Sequence, residues 1–174
     1  MPTVYISTFL GNRFYPTECR IEQIDIEDIA HGLAYQCRFN GQTNQFYSVA
    51  QHSLMVASLV PPAYRRAALL HDAAEAYQGD MVEPLKALLP VFSEIEEKVT
   101  QLIAHKLQLD FSDYAPIKAA DLVALATEKR DLMPHSAEPW SYLHGYEPLQ
   151  QRLGPLLPPQ AKRLFLDAWC TLNP

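Results

Sequence analysis

Cysteine is scarce in this 174-residue chain: Cys19, Cys37 and Cys170 are odd in number, widely separated and form no Cys-x-x-Cys pair. That excludes a disulfide framework, so they read as reduced thiols. Positive charge is also short, with 14 Lys and Arg against 20 Asp and Glu and a net charge of -6. A protein that grips a nucleic-acid polymer by its phosphates needs a basic surface, and the net charge argues against one. A small anionic ligand held by a few local Lys and Arg stays open. No apolar run approaches the roughly 20 residues of a membrane helix, and the first residues form no basic-then-apolar signal region. Internal repeats, low-complexity tracts and extended charge runs are missing too. The expectation is a cytoplasmic protein with no membrane partner.

What is present is enough apolar residue for one core. Hydrophobic residues make up 48% of the chain and charged ones 20%, which suits a single domain over 1–174. Residues 3–15 alternate β-branched and aromatic side chains around Gly11-Asn12, and this predicts a small N-terminal hairpin with a two-residue turn. Helical periodicity takes over from residue 25. Asp25 is a candidate N-cap for a helix over 25–38, whose stripe is Ile26, Ile29, Ala30, Leu33 and Cys37. After the polar loop 40–47, Ser48-Val49-Ala50-Gln51 has the form of a capping box and Pro61-Pro62 ends the helix it opens. Val49, His52, Val56 and Leu59 share a face of that helix.

Segment 63–78 (AYRRAALLHDAAEAYQ) lacks Gly and Pro and predicts one helix stopped by Gly79. On it, His71 and Glu75 would be i,i+4 neighbours. The Pro pair before it predicts an antiparallel partnership with the preceding helix, which would bring His52 toward His71. A short helix at 82–86 and longer ones at 93–108, 116–132 and 160–172 complete an all-α fold of six or seven helices. The stripe of the 116–132 helix is Ile117, Ala120, Asp121, Ala124 and Glu128, so Asp121 interrupts an alanine-lined face. Region 134–160 is rich in Pro, Gly and aromatic residues and reads as an ordered loop.

Four groups thus lie on or near core-facing stripes of three helices: His52, His71, Asp72 and Asp121. Singly, each has an ordinary reading as a hydrogen-bonded core histidine or a helix-surface acid. Together they suit one divalent transition metal such as Co, Mn, Zn, Fe or Ni, with coordination positions left open to water.

The order His, His-Asp, Asp on successive helices resembles the HD superfamily of metal-dependent phosphohydrolases. Stretches SVAQHSLMVASLV, ALLHDAAEAYQGDMVEPLK and KAADLVALATEKRDL are similar to small bacterial 5′-deoxynucleotidases and phage-encoded dATP triphosphohydrolases, over roughly residues 36–132. The resemblance implies an HD-type helical domain with its metal-site core in 25–132, flanked by 1–24 and by a C-terminal loop and helix in 133–174. It assigns His52, His71, Asp72 and Asp121 to the metal, Glu75 to the attacking water and Asp80 to the leaving oxygen. It gives Arg38, Lys86 and Lys118 to substrate phosphates. The implied reaction is hydrolysis of the 5′-phosphate ester of deoxynucleoside monophosphates by a metal-held water. Release of triphosphate from a deoxynucleoside triphosphate is the alternative enzyme reading, and a nucleotide sensor without turnover is the alternative outside catalysis. Phe39 stands where the deoxynucleotidase pattern has tryptophan, in a loop about one residue shorter. A symmetric homo-oligomer is compatible with such a domain.

Overall fold

A computed structural model describes residues 4–134 and 139–172. Among the described residues the chain forms eight α-helices and one two-stranded antiparallel hairpin. The hairpin pairs β1 (Ile6–Ser7) with β2 (Arg13–Phe14) in the register Ile6 to Phe14 and Ser7 to Arg13. Its turn differs from the two-residue expectation. Gly11 N–H donates to the Thr8 carbonyl and Thr8 N–H to the Asn12 carbonyl, so Phe9, Leu10 and Gly11 form a three-residue loop. Gly11 supplies the positive φ of 82° that such a loop needs at its last position.

Helix α1 (Ile26–Tyr35) starts at Asp25, whose carboxylate accepts from Glu27 N–H, and buries Ile29, Ala30 and Leu33. Cys37 falls outside it. Helix α2 (Val49–Leu59) is the centre of the molecule, packed against α1, α3 (Arg65–Leu69), α7 (Ala115–Leu132) and α8 (Pro158–Leu172). Ser48 caps it by accepting from Gln51 N–H. The Gln51 side chain does not complete the box. It donates to the Gly154 carbonyl and accepts from Leu156 N–H, tying the approach to α8 onto the start of α2. Between α3 and α6 (Pro90–Leu107) lie two one-turn helices, α4 (Glu75–Gln78) and α5 (Glu83–Lys86).

The predicted continuous helix over 63–78 is corrected by the structure: it breaks into α3, a run of tight turns over 70–74, and α4. The cause is local. In an uninterrupted helix the Ala68 carbonyl would accept from the backbone four residues on. Here the His71 ring takes that oxygen with its Nδ1–H at 2.8 Å. The backbone then closes through i to i+3 bonds, from Ala73 N–H to Leu70 and from Glu75 N–H to Asp72. Gly79 ends α4 as expected, with φ 92°. Within region 134–160 the segment 149–153 is fastened to α7: Leu149 N–H donates to Thr127 Oγ1 and Leu153 N–H to Asp131. Among the described residues, no helix is long and apolar enough to cross a membrane.

Candidate metal centre

The break in 63–78 decides the geometry of the site. On a regular helix, adjacent residues point in different directions. Across the 70–74 turns, His71 and Asp72 instead face one point, with Nε2 of His71 3.2 Å from Oδ2 of Asp72. α2 brings His52 to the same point. Its Nε2 lies 3.6 Å from Asp72 Oδ2 and 3.3 Å from Asp121 Oδ1, and its ring centroid is 5.3 Å from that of His71.

Each imidazole is held from behind. The partner of His71 Nδ1 is a carbonyl, which can only accept, so the proton sits on Nδ1 and the Nε2 lone pair is free. His52 is fully buried and its Nδ1 lies 2.7 Å from Oε1 of Glu128, the same arrangement with a carboxylate as acceptor. Both Nε2 atoms are buried and neither makes a hydrogen bond within the described residues. Two such orphaned lone pairs beside carboxylates are what histidine ligands of a metal require. His52, His71 and Asp72 form a group whose donor atoms all lie within 4.8 Å of one another and which could hold a metal ion. Asp121 approaches this trio through His52.

Electrostatics agree with a site that wants a cation. Burial and the Arg38 charge press His52 toward neutrality, but Glu128 and Asp121 outweigh them and raise its pKa to about 9, so a metal must displace a proton from Nε2 to use its lone pair. Burial would raise the Asp121 carboxyl, yet the adjacent His52, 3.3 Å away, aided by His71 and Lys118, holds it well below the carboxylate range. Glu75 is buried on the cavity wall at the start of α4. Burial first, then Asp72 and Asp80, push its pKa well up. Asp80 is raised as well, chiefly by burial, with Asp72 adding to the effect and Arg38 opposing it.

The three expected phosphate groups are placed differently from one another. Arg38 is 9% exposed and pinned by its Nε to Glu128 at 3.1 Å, with Nη1 3.8 Å from Asp72. Lys86 lies on the wall of the cavity beside His71, Asp72 and Glu75, where its Nζ is held by both oxygens of Glu96 at 2.8 and 2.9 Å. Lys118 has a side chain 56% exposed and pairs with Asp121 Oδ2 at 2.9 Å. That cavity measures about 270 Å³ and is also lined by Glu97 and Tyr114.

Two residues were not among the expected site groups. Glu128 was visible only as a member of the α7 stripe, and its acidity on a buried face was the available signal. Tyr114 precedes α7. Its hydroxyl is held protonated, first by burial and then by Asp72, Asp121 and Glu75, and no spacing pattern pointed to it.

The chain is 40% identical over 170 residues to the uncharacterized protein YfdR of Escherichia coli (strain K12), covering 97% of this chain and 96% of that protein. It belongs to the YfdR family. It is also 42% identical over 123 residues to the uncharacterized protein RCAP_rcc00048 of Rhodobacter capsulatus, a match that spans 63% of each chain. No protein-family model matches the chain.

Proposed function

We propose that this protein is a divalent-metal-dependent phosphohydrolase of the HD superfamily that cleaves the 5′-phosphate ester of deoxynucleoside monophosphates. The observation that carries this reading is the pair of buried imidazoles, each with its Nδ1 engaged by an acceptor and its unpartnered Nε2 facing acidic oxygens. His52, His71, Asp72 and Asp121 would hold the metal. When bound, it would supply an activated water and neutralise charge on the phosphoryl group.

The remaining groups divide the protein's own work. Glu75, whose pKa is raised by burial and by neighbouring carboxylates, orients the water and takes its proton. Asp80, raised by burial, is suited to return a proton to the leaving 5′-oxygen. Arg38 is held rigidly beside Asp72 and offers its terminal nitrogens to a phosphate oxygen.

The cavity favours a monophosphate over a triphosphate. Its wall carries Glu96 and Glu97 besides Asp72 and Glu75, and the charge of Lys86 is already met by Glu96. Little positive charge is left there for a highly charged triphosphate chain. The test is a panel of deoxynucleoside and ribonucleoside mono- and triphosphates, assayed with protein loaded with Mn, Co or Zn. Inorganic phosphate from monophosphates is the expected product. Triphosphate release would replace the substrate assignment, and turnover that survives complete metal removal would overturn the reading.

A further inference from the structure

Glu128 is fully buried on α7, two turns beyond Asp121 on the same face. Its two oxygens serve different elements: Oε1 meets His52 Nδ1 of α2 at 2.7 Å, and Oε2 accepts from Nε of Arg38, in the turn after α1, at 3.1 Å. A buried carboxylate is costly to keep charged unless it is paired and hydrogen-bonded, and these two donors do both. We infer that Glu128 is a positioning residue that couples the metal ligand His52 to Arg38, so that metal affinity and phosphate affinity depend on one carboxylate. This rests on the reading above, in which His52 holds the metal and Arg38 meets phosphate.

Each oxygen of Glu128 fixes a different side chain. Oε1 keeps the His52 proton on Nδ1 and leaves Nε2 facing Asp72 and Asp121. Oε2 removes the rotational freedom of the guanidinium and leaves Nη1 on the side of Asp72. A single rigid carboxylate cannot tilt toward one client without moving from the other. An amide of the same size cannot serve both, because it has one acceptor and one donor end. With its oxygen toward His52, its NH₂ meets the Arg38 Nε–H. With its oxygen toward Arg38, its NH₂ faces Nδ1 and drives the proton onto Nε2, where it blocks the metal.

The experiment titrates Co²⁺ into the metal-free wild-type, Glu128→Gln and Glu128→Ala proteins by visible absorption, then inorganic phosphate into the cobalt-loaded forms by calorimetry. Glu128→Gln is expected to lose either cobalt affinity by roughly 10–100-fold or phosphate affinity by about tenfold, and Glu128→Ala to weaken both. Wild-type affinities for both probes in folded Glu128→Gln overturn the coupling. Should neither variant fold, imidazole nitrogen spectra of the zinc-loaded wild type decide: a slowly exchanging proton on His52 Nδ1 supports the role, and its absence overturns it. The two readings fail separately. Glu128-dependent binding without nucleotide cleavage overturns the phosphohydrolase reading alone. Cleavage with an indifferent Glu128→Gln overturns the coupling alone, and a wild type that binds no cobalt overturns both.

Discussion

A methyl carbon added to Gly32 would stand 2.7 Å from the carbonyl oxygen of Ala76 and 2.9 Å from its Cα. α1 and α4 therefore meet backbone to backbone, and α4 is the turn that opens with Glu75. Gly32→Ala must push α4 outward, at a cost of about 1–3 kcal/mol for an overpacked contact. The melting temperature should fall, and hydrolysis should fall further than stability alone explains, because Glu75 moves. A melt identical to that of the wild type would sink this account of the packing.

His52→Ala and His71→Ala should each purify without stoichiometric metal. In the wild type, added metal should raise the melting temperature, since binding to the native state at a hundredfold excess over Kd stabilises by about 2.7 kcal/mol. Elemental analysis and thermal melts with and without chelator check both points. Full metal content in either variant would remove that histidine from the ligand set.

Glu75→Gln keeps the shape of the side chain and removes its capacity to accept a proton. The structure leaves Glu75 outside the three-residue metal group. Metal content should stay at the wild-type level while turnover drops by roughly 10²–10⁴-fold, the range for loss of a general base. Undiminished kcat with metal bound would show that the water is handled by another group.

Asp131 is the anchor of the C-terminal segment: it accepts from Leu153 N–H and pairs with Arg130 and Arg152. The Arg130 hydrogen bond outweighs the opposing effect of burial, and with Leu153 N–H and Arg152 it holds the carboxyl below its ordinary range. A depressed native pKa contributes stability that is complete above the unfolded value, about 3.9, and is lost as pH falls from there through the native value. At neutral pH, Asp131→Asn should cost about 1–2 kcal/mol. The gap between the denaturation midpoints of wild type and variant should start to close below about pH 4 and keep shrinking as the pH falls toward the depressed native value. A gap independent of pH would show that the contribution is not carried by the charge.

Much of the site was legible because its chemistry is dense and local. Ser48 and Asp25 announced two helix starts through ordinary capping chemistry, and the Pro61-Pro62 turn brought His52 opposite His71. The alanine-lined stripe around Asp121 marked a face where a carboxylate needs a partner, and the partner is His52. Where local pattern failed, a side chain competed with the backbone. Nothing in a run of good helix formers signals that the His71 ring will take the Ala68 carbonyl and break the helix. The expectation that Glu75 sits one regular helical turn after His71 fell with it.

The sequence by itself determined an all-α fold with an N-terminal hairpin, the identity of the polar groups on its core-facing stripes, and a net negative charge. Periodicity and capping are properties of neighbours along the chain, so they can be read there. Only the tertiary structure decided that Arg38, His52 and Glu128, from three separate elements, join through one carboxylate. Only there is Lys86 of α5 committed to Glu96 of α6. Those pairings depend on which helix faces meet and how closely, and the close approach of α1 to α4 at Gly32 and Ala76 is set by packing, not by propensity.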